Sequence, residues 1–298
     1  MEGWKTSDPM PRNLRSFQER SDRGDRSSRL SILTRSFLVS LTSALVMLAI
    51  PDGHAASDRP DHIVIVLEEN HGYNQILNSS NAPFIHLLAT QGTVFSKYYA
   101  VSHPSEPNYL ALFSGSTQDV HDDRIHVFNA PTLGGALQRA GLSFAGYAET
   151  GSPNSHNPWE SFTESANVGR PFSQFPLGRF DSLPTVSFVV PNLYNDMHDG
   201  SIARGDRWLK DHLAGYMTWA KTHNSLLIVT FDEDDGQEGN HVLTVVVGDH
   251  VPAGENSTPT SHLSLIRTIE NMYGLPALAE SMSAPLMKFA PDQVDDSR

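Results

Sequence analysis

Four consecutive carboxylates, Asp232-Glu233-Asp234-Asp235, follow directly on the apolar run Ser225-Leu226-Leu227-Ile228-Val229-Thr230-Phe231. Ionised side chains this close repel one another, so the chemistry they first suggest is a hard divalent cation held among them. Asp-Asp-Gly is equally the sequence of a solvated turn, and taken alone the run leaves both readings open. Two more clusters shift the balance. Glu68-Glu69-Asn70-His71 follows His62-Ile63-Val64-Ile65-Val66-Leu67, and Asn192, Asn195, Asp196, His198 and Asp199 crowd behind Thr185-Val186-Ser187-Phe188-Val189-Val190. Three short apolar segments that each end in acid, amide or imidazole predict buried strands whose carboxyl ends share one site, the edge at which α/β sheets hold ligands.

A nucleophile candidate lies between the first cluster and the second. In Ser102-His103-Pro104-Ser105-Glu106-Pro107-Asn108-Tyr109-Leu110 the pattern predicts a helix with Ser105 as its N-cap and Pro107 in its first turn. Capping alone would account for Ser105. The same geometry would also aim N–H donors and positive potential at a phosphate and at an attacking alkoxide. Ser105 has no Gly-x-Ser-x-Gly setting, which argues against a lipase-type nucleophile, and activation by a metal held in the carboxylate clusters suits it better. Asn108, one turn into the helix, is a candidate donor to a phosphoryl oxygen.

The elements needed to position these groups follow from the pattern. Strands are expected at 62–67, 93–97, 142–147, 185–190, 225–231 and 242–247, and helices at 82–91, 106–113, 131–140, 203–221 and 261–273, with Gly92, Gly141 and Gly274 as stops. This alternation predicts an α/β fold, a mostly parallel central sheet with helices on both faces. Residues 149–184, dense in Ser, Pro, Asn and Phe, read as a long irregular excursion that forms one wall of the site.

The chain has 298 residues, is 39% hydrophobic and 18% charged, and carries a net charge of −13. Residues 1–36 hold eight Lys and Arg against five Asp and Glu and read as a disordered basic extension. The uncharged run Phe37 to Ile50, closed by Pro51 and Gly53-His54-Ala55-Ala56, makes 37–55 the core and cleavage region of a secretory signal, too short for a membrane span of roughly 20 residues. Asp52 is the only charge between residue 36 and Ala55, so the chain from Ala56 carries −15. One domain is expected over 57–290, secreted or held in the periplasm or cell envelope, without a transmembrane anchor once the signal is removed. So acidic a chain is a poor nucleic-acid binder. It has no cysteine, so disulfides contribute nothing to stability despite export.

His103-Pro104-Ser105-Glu106-Pro107-Asn108-Tyr109-Leu110-Ala111-Leu112-Phe113-Ser114-Gly115, Glu69-Asn70, Pro191-Asn192 with Asn195-Asp196-Met197-His198-Asp199-Gly200-Ser201, and Asp232-Glu233-Asp234-Asp235-Gly236 together resemble the bacterial phosphoesterase family of acid phosphatases and phospholipases C. The resemblance runs from about residue 61 to 278 and implies the fold of the alkaline phosphatase superfamily. It implies a metal site of Glu69, Asn70, Ser105, Asp232 and Glu233, Ser105 as nucleophile, and Asn108, His198 and Asp199 as catalytic partners. Asp196, His262 and His103 are left as a phosphate or second-metal site. The expected activity is that of a metal-dependent acid phosphatase acting on phosphate monoesters through a phosphoserine, with phosphoinositide headgroups as candidate substrates. Its rivals are a phosphodiesterase of phospholipase C type and a non-catalytic exported phosphate- or headgroup-binding protein. The oxygen-rich ligands point to Mg, Mn or Ca, and added histidine would draw Zn or Fe. Many members carry Glu-Asn-Arg-Ser where this chain has Glu69-Asn70-His71-Gly72, so a protonated His71 would replace a lost positive charge. Of the other histidines, His54, His156, His212 and His223 read as structural or solvated, and His241 stays undecided.

Overall fold

Ile63, Val64, Ile65, Val66 and Leu67 are all fully buried, which is why β1 (His62–Glu68) reads as an unbroken apolar run: both of its faces are covered. The structure, a computed structural model, describes residues 59–292; the basic extension and the signal segment lie outside the described residues. The remaining strands are β2 (Thr93–Phe95), β3 (Tyr98–Tyr99), β4 (Phe144–Ala148), β5 (Gly169–Pro171), β6 (Val186–Val190), β7 (Ser225–Phe231), β8 (Thr244–Gly248), β9 (Gly254–Asn256) and β10 (Thr260–Ser261). Eight of them form one sheet in the order β5-β4-β6-β1-β7-β8-β2-β9, and β3 pairs with β10 apart from it.

The sheet is mostly parallel. β1 lies between β6 and β7, with Ile65 opposite Phe188 on one side and Ile228 on the other, and only β8 runs antiparallel to its neighbours β7 and β2. Helices cover both faces. α2 (Pro83–Gln91) packs against α5 (Ile202–Ala220), while α3 (Ser105–Ser114) packs against α4 (Leu133–Arg139) and α6 (His262–Met272). A short helix, α1 (Tyr73–Leu77), follows the first polar cluster.

Local sequence accounts for these elements. In α5 the buried residues Gly205, Trp208, Leu209, Leu213, Tyr216, Met217 and Ala220 recur at helical spacing and lay one face on the sheet. All ten residues of α3 are buried, so this helix is core rather than cover. α4 starts at Leu133, two residues later than the sequence predicts, because Thr132 caps it by accepting the Gly135 N–H at 3.0 Å.

The excursion 149–184 is held by an aromatic lock. Gly146 of β4 and Gly169 of β5 lie opposite each other, and a β-carbon on either would come within 2.1 Å and 2.5 Å of the Trp159 indole. Two glycines thus make the slot that receives a fully buried tryptophan. Phe162, from the same excursion, packs edge-on to Phe113 with ring centres 5.9 Å apart, which ties the segment to α3.

Gly146→Ala should overpack this slot. Urea denaturation is expected to show a loss of about 1–3 kcal/mol, the usual cost of an intruding methyl group in a packed core; an unchanged midpoint would mean that Trp159 is not locked as described.

Candidate active site

The order β6-β1-β7 makes three loops neighbours at one edge of the sheet. The ladder runs past the strand ends: the Glu69 N–H donates to the Asp196 carbonyl at 2.8 Å, and the Asp232 N–H to the Glu68 carbonyl at 2.9 Å. Backbone pairing therefore brings Glu69, Asp196 and Asp232 together although they lie far apart in sequence. Asn70 follows in a left-handed conformation (φ 56°), and its N–H donates to Asp232 Oδ1 at 3.1 Å.

Ser105 opens α3 above this cluster. It is the first helical residue and Pro104 occupies the cap, one position earlier than the sequence suggests. Its Oγ lies 3.2 Å from Glu69 Oε2 and 3.5 Å from Glu233 Oε1. The helix end offers less to an anion than expected, because Pro107 has no N–H and the Glu106 N–H already donates to Asp123 Oδ1 at 3.1 Å. Asn108 is corrected too. Its Oδ1 accepts the N–H groups of Val101 and Ser102, and its Nδ2 reaches the carbonyls of Ser102 and Pro104 and, at 3.3 Å, Glu233 Oε2. Fully buried with these bonds made, Asn108 shapes the 101–104 loop and steadies Glu233 rather than facing a phosphoryl oxygen.

Among the histidines the structure redraws the expected set. His156, read from sequence as structural or solvated, is buried in the site. Its Nδ1 lies 3.1 Å from Glu69 Oε1 without the alignment of a hydrogen bond, and its ring stacks on Tyr109 at 4.9 Å. Glu69, His156 and Asp196 each offer a ligand atom within 4.8 Å of the others. His262, expected at the site, is instead committed behind it: Nε2 is 2.6 Å from the Asp232 carbonyl and Nδ1 is 3.0 Å from the Tyr98 hydroxyl, so neither nitrogen is free. His103 is half-exposed and spans Glu233 Oε2 at 2.9 Å and Asp234 Oδ1 at 3.1 Å. His198 Nδ1 lies 2.8 Å from Asp199 Oδ1, and the His198 backbone N–H donates to Asp196 Oδ1. His71 Nδ1 turns back to the Glu69 carbonyl at 2.8 Å, and His241 packs between Tyr73 and Tyr99.

Tyr109 is the other residue the motif alone does not single out. Its hydroxyl donates to Glu69 Oε1, one helical turn beyond Ser105 on the same face. Asp234 and Asp235 divide from Asp232 and Glu233 as the turn reading suggests. Asp234 accepts the N–H groups of Gly236 and Glu238, and Asp235 accepts that of Gln237.

Glu69, Asp196, Asp232, Glu233 and Asp234 are all buried, and among the described residues no Lys or Arg forms an ion pair with them. Burial, then the neighbouring Asp232 and Asp196, raises the Glu69 pKa well above the carboxylate range. Burial likewise pushes Asp196 up to about 8 and Asp232 to about 7, and burial with the Asp232 charge lifts Glu233 to about 9. His156 is lowered to about 3 by burial and by the neighbouring His198, so it stays neutral and able to ligate. Asp196 Oδ2 and Asp232 Oδ2 are buried without a partner. Orphaned carboxylate oxygens, a neutral imidazole and no competing cationic side chain fit a divalent metal.

Residues 75–276 match the phosphoesterase family. The phosphatidylinositol-3-phosphatase of Mycobacterium tuberculosis is 43% identical over 274 residues, covering 86% of this chain and 90% of that protein. An acid phosphatase of Aspergillus fumigatus is 28% identical over 64% of this chain and 50% of its own length. In fold the chain is similar to a Vibrio parahaemolyticus protein of the alkaline phosphatase superfamily, with a TM-score of 0.58 at 13% identity over 77% of this chain and 71% of that one. It is also similar to the C-terminal periplasmic domain of EptC from Escherichia coli, solved in complex with Zn, with a TM-score of 0.54 at 11% identity over 74% and 84%.

Without metal, the raised carboxylates impose a pH dependence on folding. Asp232 and Glu233 bind protons up to about 7 and 9 when folded, but only to about 4 when unfolded. The native state therefore holds the extra protons in that window, and stability is lost as pH rises through it. Metal-free protein should melt at a higher temperature at pH 5 than at pH 8, and excess divalent metal should remove most of the difference. A melting temperature that climbs over this range in chelator would contradict the assignment.

Proposed function

The chain belongs to the phosphoesterase family and is a phosphoric monoester hydrolase, and from that premise we propose that it is an exported, metal-dependent acid phosphatase that acts through a phosphoserine on Ser105. Phosphoinositide headgroups are its proposed substrates, by likeness to the mycobacterial relative. The observation that carries the reading is the position of the Ser105 hydroxyl, flanked by Glu69 Oε2 and Glu233 Oε1 at the start of a buried helix. A serine kept only to start the helix would not need two buried carboxylates at its oxygen.

The residues divide the work as follows. Ser105 Oγ attacks phosphorus while its proton passes to a flanking carboxylate, Glu69 or Glu233, which a bound cation would keep ionised. The Oγ–P bond forms and the bond from phosphorus to the leaving oxygen breaks. His198, oriented through Nδ1 by Asp199, gives its Nε2 proton to that oxygen. Water then attacks the phosphoserine as His198 Nε2 takes its proton, the P–Oγ bond breaks, and Ser105 recovers a proton from the carboxylate. Tyr109 and Asn108 keep Glu69 and Glu233 pointed at Oγ throughout.

Glu69, Asn70, Asp232 and Glu233 with the Ser105 oxygen, joined by His156 and Asp196, would hold divalent metal, which would supply Lewis-acid charge for the phosphoryl oxygens and favour the serine alkoxide. The entry of His156 into the donor set moves the expected metal from Mg or Ca toward Mn, Zn or Fe.

Ser105→Ala should lower turnover of p-nitrophenyl phosphate by about a thousandfold or more while leaving the melting curve of the metal-free protein unchanged. A variant with near-normal activity would remove Ser105 from the chemistry. Dialysis against chelator should abolish turnover and metal restore it. Faster hydrolysis of bis(p-nitrophenyl) phosphate than of the monoester would replace the phosphatase reading with a diesterase.

A further inference from the structure

Asn195 belongs to the polar cluster behind β6, yet the chemistry of the site leaves it without a task. The turn itself does not need its side chain. Asn192 makes that turn: its carbonyl accepts the N–H groups of Asn195 and Asp196 at 2.7 and 2.9 Å, and its Oδ1 accepts that of Tyr194 at 3.1 Å. The Asn195 amide reaches outward instead. Its Nδ2 donates to the two oxygens of Glu149 at 3.0 and 2.9 Å, and its Oδ1 accepts the Arg204 Nε–H at 2.8 Å. Each partner is anchored outside the loop. Glu149 follows β4, and its N–H extends the sheet by donating to the Val190 carbonyl at 2.9 Å. Arg204 lies in the first turn of α5, with its guanidinium 5.1 Å over the Tyr194 ring. A carboxylate on one side and a guanidinium on the other leave the amide a single orientation, and both bonds are charge-assisted.

We propose that Asn195 is a positioning residue: clamped between Glu149 and Arg204, its amide fixes the 192–199 loop so that His198 meets the oxygen leaving phosphorus. This rests on the general-acid role of His198 in the proposed mechanism. The loop has reason to need a hold from outside. Met197, between Asp196 and His198, stands at φ 78°, a conformation that strains a residue with a side chain and persists only where its surroundings impose it. The Asp199 N–H closes the loop on the Leu193 carbonyl at 2.7 Å, so the segment shifts as one piece. The His198 ring is half-exposed and bonds to Asp199 of the same loop, so its Nε2 points where the loop points. Glu149 reinforces the clamp by also accepting the Asn192 N–H at 3.0 Å. The sheet edge and α5 thus set the aim of the acid through one amide.

The test compares two substrates that differ in their need for a proton. p-Nitrophenolate leaves almost unaided, whereas the alkoxide of glycerol 2-phosphate has to be protonated. Asn195→Asp keeps the bond to Arg204 but sets a carboxylate against Glu149. Its kcat/KM should fall about tenfold further on glycerol 2-phosphate than on p-nitrophenyl phosphate. Adding Glu149→Gln exchanges donor and acceptor across the contact, and the double variant should recover most of that loss. Both rates come from one preparation, so any unfolded fraction cancels from their ratio. Equal losses on the two substrates, or a double variant no better than Asn195→Asp, would overturn the role of Asn195 and leave the phosphatase standing. His198→Ala should show the same excess loss on glycerol 2-phosphate; if it lost both rates equally, the general-acid reading would fall and the positioning role with it.

Discussion

Carboxylate crowding at the ends of three adjacent parallel strands is the constraint around which the molecule is built. Parallel pairing of β1 with β6 and β7 continues beyond the strands through the Glu69, Asp196 and Asp232 backbones, so the contacts that stabilise the sheet also force their side chains into one buried volume. Burying an ionised carboxylate without compensation costs several kcal/mol. The chain answers with donors rather than cationic side chains: the Asn70 and His198 N–H groups, the Ser105 and Tyr109 hydroxyls, and the Asn108 amide. These orient the carboxylates but leave two of their oxygens without partners. Such a site favours bound protons or a bound cation, and the choice between the two is set by pH and metal concentration.

The same crowding explains why the frame is so apolar. β1 is covered on both faces and α3 is buried along its whole length, so Ser105 and the acids around it ride on elements with little freedom to shift. The least regular part of the site comes from the 149–184 excursion, which is held against the sheet by Trp159 in the slot above Gly146 and Gly169 and by Phe162 against Phe113. His156 lies three residues before Trp159. Packing at the sheet edge and the placement of His156 beside Glu69 are thus parts of one structural unit.

Much of this was legible in the sequence because it rests on local patterns. Apolar runs that end in Glu69, Asp196 and Asp232 announce parallel strands and their polar edge, and the 103–115 motif carries Ser105 and its helix. What escaped depends on contacts that no local period encodes. His156 sits among Ser, Pro and Asn with no ligand spacing around it, and tertiary packing, its stack on Tyr109 included, brings it to Glu69. His262 misleads in the opposite sense: its place at the head of α6 looks functional, but the β3–β10 pairing turns its ring between Tyr98 and the Asp232 backbone. The Tyr109 contact could have been anticipated, since four residues separate it from Ser105 on a helix and so place both on one face.

The occupied helix end decides where substrate charge must be met. A helix N-terminus ordinarily offers free N–H groups to a phosphate, but here Asp123 takes the Glu106 N–H, Pro107 has none to give, and the Asn108 side chain is spent on the preceding loop. No Lys or Arg is paired with the site carboxylates to take over that role among the described residues. The half-exposed imidazoles near Ser105 are His103, which spans Glu233 and Asp234, and His198 on its Asp199 partner. Two imidazoles cannot offset a phosphate dianion set against this many carboxylates. In the proposed phosphatase reading, binding of the phosphate is therefore coupled to a cation that Glu69, Asp232 and Glu233 would hold, and the acids that make the metal-free site unfavourable to an anion would make the loaded site selective for one.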